Sequence, residues 1–120
     1  MQKHLLFRPL GETYKLTISN TATPLPTIPA GALKCHIQVE TAEIRAKFNA
    51  TDSVTYSVTA GVGGGFLLPI NTVANPYYTI AGMDNMSRLR LFRNTGTDAF
   101  VNVLFLGETP EQPSYDGGLA

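Results

Sequence analysis

The sequence predicts an all-β chain: a single antiparallel β-sandwich in jelly-roll-like order, with about eight strands, an extended N-terminal segment and a flexible C-terminal tail. Three observations lead there. Residues 32–49 alternate apolar and polar side chains almost without error. Shorter alternating runs recur on both sides of that stretch, punctuated by Gly, Pro, Asn and Ser. No window of ten residues carries a helical period. Strand side chains point to opposite faces with period two, so such runs are half-buried strands.

In chain order, Tyr14, Leu16 and Ile18 alternate with Lys15, Thr17 and Ser19 to give an early strand. The stretch 23–29 holds Pro24, Pro26 and Pro29, which cannot donate to a ladder, so it is expected as an extended edge or a connection between sheets. Pro29, Ala30 and Gly31 turn the chain into the strongest signal. Leu33, Cys35, Ile37 and Val39 share one side, with Lys34, His36, Gln38 and Glu40 on the other. After the short Thr41-Ala42 turn, Ile44, Ala46 and Phe48 alternate with Glu43, Arg45 and Lys47, and the pair reads as an antiparallel hairpin.

Thr51 to Ser53 then leads into a strand on Val54, Tyr56 and Val58, followed by the glycine loop 61–65. Short strands are expected over 66–70 and 77–80. A second hairpin is expected from 88–93 and 99–106 around the Gly-containing link 94–98. The domain is taken as residues 1–107. Residues 108–120, polar and rich in Pro and Gly, form a tail that is disordered or laid along a neighbouring subunit.

Composition narrows the partners. The 120 residues are 43% hydrophobic and only 15% charged, with a formal net charge of zero. Nucleic-acid binding draws most of its affinity from clustered Lys and Arg, so a nucleic-acid partner is not expected. Low charge at zero net charge suits a protein packed against copies of itself or a partner. The N-terminus has too short an apolar run for a secretory signal and no run is long enough for a bilayer, so a soluble product of the host cytoplasm with no membrane partner is expected. Cys35, the single cysteine, lies on an apolar side and reads as a core residue.

Catalytic and metal patterns are wanting. No Gly-x-Ser-x-Gly elbow or calcium loop occurs, and Cys35 and His36 point to opposite sides of one strand and cannot share a metal ion. Glu40 and Glu43 flank one turn and read as solvated carboxylates. The glycines 61–65 precede a strand rather than a helix, so they are no phosphate cradle, and instead mark a surface excursion or a close backbone approach. No enzyme activity and no cofactor are expected.

The order of features from Ile44-Arg45-Ala46-Lys47-Phe48 through Gly65-Phe66-Leu67-Leu68-Pro69, Tyr77-Tyr78-Thr79-Ile80 and Ser87-Arg88-Leu89-Arg90-Leu91-Phe92-Arg93-Asn94 to Ala99-Phe100-Val101-Asn102-Val103-Leu104-Phe105-Leu106 resembles the small β-sandwich virion proteins of tailed bacteriophages. The resemblance spans residues 29–106. It implies a capsid decoration or cement protein on the virion, bound to the major capsid protein shell and assembled as a homo-oligomer, commonly a homotrimer. A head or tail accessory role is the near alternative. A lectin-like module presenting Tyr77, Tyr78 and the loop 61–65 to a glycan is the alternative of a different class.

The residues themselves point to an interface. In the expected last hairpin, Leu89, Leu91, Val101, Val103 and Phe105 form an inward row. Phe92, Phe100, Leu104 and Leu106 then share the opposite side with Arg88, Arg90 and Asn102. An apolar patch with an arginine rim is the composition of a protein interface. Phe92, Phe100, Leu104, Leu106, Arg88 and Arg90 are therefore the expected contact residues, unless the N-terminal strand or the tail covers them.

Overall fold

The computed structural model describes residues 6–49 and 64–109. Among them the chain forms β1 (Phe7–Pro9), β2 (Tyr14–Ile18), β3 (Thr23–Pro24), β4 (Ala32–Glu40), β5 (Ile44–Phe48), β6 (Phe66–Leu68), β7 (Tyr78–Ala81), α1 (Met83–Arg88), β8 (Leu89–Arg93) and β9 (Ala99–Glu108). One sheet runs β1-β9-β4-β7, with β2 also paired to β9; the other runs β3-β8-β5-β6. All the strand pairings are antiparallel.

The pairs are nested. β5 pairs with β6, β4 with β7, β3 with β8 and β2 with β9. The chain is thus one long antiparallel ribbon, doubled back between β5 and β6 and rolled into two sheets. That winding is the jelly roll the alternation pattern predicts, with nine strands among the described residues where about eight are expected.

The winding overturns both expected hairpins. β4 and β5 lie in different sheets, and so do β8 and β9. Thr41, Ala42 and Glu43 carry the chain from one sheet to the other. Thr41 takes a left-handed φ of 77°, and the amide of Ala42 bonds to the carbonyl of Glu40 at 2.9 Å. The buried row shifts from odd positions (Cys35, Ile37, Val39) to even ones (Ala42, Ile44, Ala46), so both strands face the same interior.

Asn94 secures the second crossing. Its side chain, 3% exposed, accepts a bond from Arg45 Nε at 2.8 Å and donates to the carboxylate of Glu43. The two crossings therefore sit together at one end of the sandwich. The inward row foreseen on Leu89, Leu91, Val101, Val103 and Phe105 is fully buried, but it meets across the core from two sheets. With Ile18, Ile37, Val39 and Ile44 these residues form the main cluster, each large side chain contributing ~1.5–3 kcal/mol of burial.

Three further departures have local causes. A bulge between Ala32 and Lys34 puts Ala32 inside and leaves Leu33 at 42% exposure, on neither side of a regular alternation. The six-residue helix α1 buries only Met86, which leaves no apolar stripe to read. β1 adds an edge segment along β9, from Phe7 opposite Glu108 to Pro9 opposite Leu106, and edge pairing tolerates its proline. The proline-rich stretch 23–29 supplies the edge strand β3, as expected. The expected strand on Val54, Tyr56 and Val58 and most of the tail after Gly107 lie outside the described residues.

Gly107 marks a close approach of neighbouring segments. A Cβ there would lie 2.8 Å from Leu10 Cδ1 and 2.9 Å from the backbone oxygen of Gly31, so a methyl group forces the N-terminal segment and the 29–31 turn apart. Gly107→Ala is expected to destabilise the fold by about 1–3 kcal/mol in urea unfolding, as overpacking does. A variant as stable as the parent would remove close approach as the reason for this glycine.

Candidate functional site

With the interior row assigned, the outer face of the five-stranded sheet follows by alternation. β4 sends out Lys34, His36, Gln38 and Glu40, and β9 sends out Phe100, Asn102 and Leu104 opposite them. Register pairs His36 with Leu104, Gln38 with Asn102, and Glu40 with Phe100. On the far side of β9, Lys15 stands opposite Asn102 and Thr17 opposite Phe100. The segment before β7 brings Tyr77 over this face. Its ring stacks on His36 with centroids 3.9 Å apart and planes at 22°.

The resulting depression measures about 260 Å³. The His36–Tyr77 stack and Pro76 wall it on one side, Leu104 and Thr13 on the other, with Gln38 and Asn102 between. The polar groups are interlocked. Asn102 Nδ2 donates to Gln38 Oε1 at 3.1 Å and to Glu40 Oε2 at 2.9 Å, and Gln38 Nε2 reaches the carbonyl of Pro76 at 3.5 Å. The two nearby lysines are turned onto rings: Lys15 Nζ lies 4.8 Å from the centroid of Phe100, and Lys34 Nζ 3.9 Å from that of Phe7. Such cation–π contacts satisfy each charge beside the depression rather than in it.

The six expected interface residues do not share one face. Phe100 and Leu104 are half-buried on the five-stranded sheet, beside Leu106, which is only 6% exposed with Pro9 and Lys34 as its register neighbours. Phe92 and Arg90 belong to the other sheet. Phe92 points outward from it, opposite Arg45, yet is 1% exposed and lies outside the main core cluster. Arg88 ends α1, donates to both oxygens of Asp84 at 3.0 Å and holds Asn49 Oδ1 at 2.7 Å. The premise of one continuous patch fails because β8 and β9 are not hairpin partners.

Other singled-out residues fall as follows. Tyr77 is in the depression, but Tyr78 points away, its hydroxyl donating to the carbonyl of Pro69 at 2.7 Å. Gly65 answers the close-approach reading: its Cβ would meet the carbonyl oxygen of Ala46 at 2.8 Å. Residues 61–63 lie outside the described residues. Glu40 and Glu43, which flank one turn, serve different sheets, Glu40 holding Asn102 and Glu43 holding Asn94. Cys35 is fully buried, with its thiol pushed up to about 11 by burial, while His36 faces out. Among the described residues no three His, Cys, Asp or Glu side chains converge as metal ligands. Asn102, Gln38 and Asn94 carry the polar architecture, and only the strand register could have singled them out.

Withdrawal from water lowers the pKa of His36 below its ordinary 6.5, and the charge of Lys34 adds to the effect. The folded chain therefore takes up this proton at lower pH than the unfolded chain. Stability attached to His36 is complete above about pH 6.5 and is lost as pH falls through the folded value. Urea midpoints measured from about pH 7 to pH 5 are expected to fall less in His36→Gln than in the parent. Equal slopes in the two would sink this assignment. No protein-family model, curated protein or solved structure matches the chain.

Proposed function

We propose that the chain is a non-enzymatic virion protein of the tailed-bacteriophage kind, a capsid decoration or cement protein that binds the major capsid protein shell and assembles as a homo-oligomer, a trimer by the family's habit. The observation that carries this reading is the outer face of the four-stranded sheet. β5 projects Arg45 and Lys47 there, β8 projects Arg90 opposite Lys47, and Arg88 stands at the adjoining end of α1. Leu67, opposite Arg45 and 41% exposed, adds apolar surface.

Arg88 is paired with Asp84, so Arg45, Lys47 and Arg90 carry the basic character of this face in a chain of zero net charge. Arginine interleaved with apolar side chains is the composition of interface centres. An acidic shell surface would be steered onto such a face. The jelly roll, an architecture of capsid and lectin domains, supports the class by analogy only. Phe92 is too deeply buried to contribute contact area, and Phe100 and Leu104 belong to the opposite sheet.

The test is to incubate the protein with undecorated shells of its own phage and image them. Ordered added density is expected with the parent chain. Arg88→Glu with Arg90→Glu, still folded by circular dichroism, is expected to bind at least about tenfold more weakly. Binding of the parent is also expected to weaken as salt rises. A bare shell with the parent chain would end the cement reading, and full occupancy by the double variant would move attachment off this face.

A further inference from the structure

Attachment through the four-stranded sheet leaves the five-stranded sheet facing outward, with its depression open. We propose that this depression binds one pyranose ring of a neutral glycan, a hexose or N-acetylhexosamine, between the Tyr77 ring and the Gln38–Asn102 amide pair. The inference does not depend on shell attachment.

Charge comes first. The side chains that line the depression are an imidazole, a phenol, two amides, a hydroxyl and two apolar groups, none of them an acid, lysine or arginine. His36 holds its proton less readily than an ordinary imidazole, so at neutral pH its ring adds no cation. Lys15 and Lys34 lie over Phe100 and Phe7. Phosphate, sulfate or a carboxylate would find no cation to pair with, whereas an uncharged ligand would not miss one.

Shape and polarity then select the class. A depression of about 260 Å³ is the scale of one sugar ring with its hydroxyls and is too small for a folded partner. A pyranose presents a face of C–H groups, weakly positive, which packs on the negative face of an aromatic ring. Tyr77 is 45% exposed, and its plane is held by the stack on His36, itself fixed on the central strand β4.

The rim of a pyranose carries adjacent hydroxyls that each donate and accept. Asn102 spends both amide hydrogens on Gln38 and Glu40, which orients its Oδ1 as an acceptor; Gln38 Nε2, held only at 3.5 Å to Pro76, retains a hydrogen to give. Asn102 Oδ1 and Gln38 Nε2 thus offer sugar hydroxyls one acceptor and one donor. Because the amides are already ordered on neighbouring strands, binding costs little side-chain entropy.

The probes are methyl α-mannoside, methyl α-glucoside, methyl β-galactoside and N-acetylglucosamine, titrated into the ¹⁵N-labelled full chain, beside an array of neutral glycans. At least one is expected to give saturable shifts centred on the amides of Tyr77, Gln38 and Asn102. Tyr77→Ala and Asn102→Ala are expected to weaken that binding about tenfold or more. Arg90→Ala, on the opposite sheet, is expected to leave it unchanged. Tyr77 stands on an exposed connection, so its variant reports binding even if Asn102→Ala loses the fold. Silence from all four sugars and the array overturns the proposal. So does binding that survives Tyr77→Ala, shifts centred on another face, or preference for an unglycosylated peptide.

Discussion

Strand β9 is the constraint on which the rest depends. Its ten residues are paired on both sides, to β4 along one edge and to β2 and then β1 along the other. One row of its side chains, Ala99, Val101, Val103 and Phe105, is fully buried and closes the core. The alternate row, Phe100, Asn102 and Leu104, forms the centre of the outer face, and Asn102 and Leu104 line its depression. A slip of one residue would exchange these rows, placing Asn102 in the core and Phe105 in water. The cost of that exchange pins the register, and with it the pairing of Gln38 with Asn102.

Nested pairing explains why polar groups gather at the ends of the sandwich. Every crossing between sheets exposes backbone that no ladder satisfies, and buried backbone groups must find partners. Asn71 answers this at one place: its Oδ1 accepts from the backbone N–H of Val39 at 2.7 Å, and its backbone N–H donates to the carbonyl of Val39 at 3.1 Å. At another, the backbone N–H of Asn94 reaches the carbonyl of Glu43 at 3.4 Å, while its side chain bridges the side chains of Glu43 and Arg45. Asn71 thus acts as a substitute strand partner beside the end of β4, and Asn94 ties the side chains of Glu43 and Arg45 together at the second crossing. Removing either amide strands groups of the neighbouring crossing, so these two asparagines bear on the fold more than their exposed relatives do.

Burial was legible in the sequence, and partnership was not. The parity of Cys35, Ile37 and Val39, then of Ile44 and Ala46, placed those side chains inside without knowledge of their neighbours, because alternation reports only which face is wet. Two or three residues join strands within a sheet as readily as they join two sheets, so Thr41 and Ala42 read the same in a hairpin and in a crossing. Phe92 shows the limit in another form: its outward direction was readable, but its 1% exposure depends on three-dimensional cover. Leu33 was misplaced because a bulge is a property of two paired strands, visible in neither alone. The stack of Tyr77 on His36 joins residues 41 positions apart and has no local signature.

The same alternation that buries one face fixes the chemistry of the other, and the two sheets use it differently. On the four-stranded sheet the outward positions of β5 and β8 are Arg45, Lys47 and Arg90, each half-buried, with the buried Phe92 among them. On the five-stranded sheet they are short amides and rings locked to one another across β4, β9 and the Tyr77 segment. That second face is built on the two most deeply paired strands of the molecule, so opening it would require breaking the core beneath it. A ligand there meets a surface already in its bound form. Affinity on such a surface rests on how well a few fixed groups match the ligand rather than on area, and a single sugar ring is a ligand small enough to be held that way.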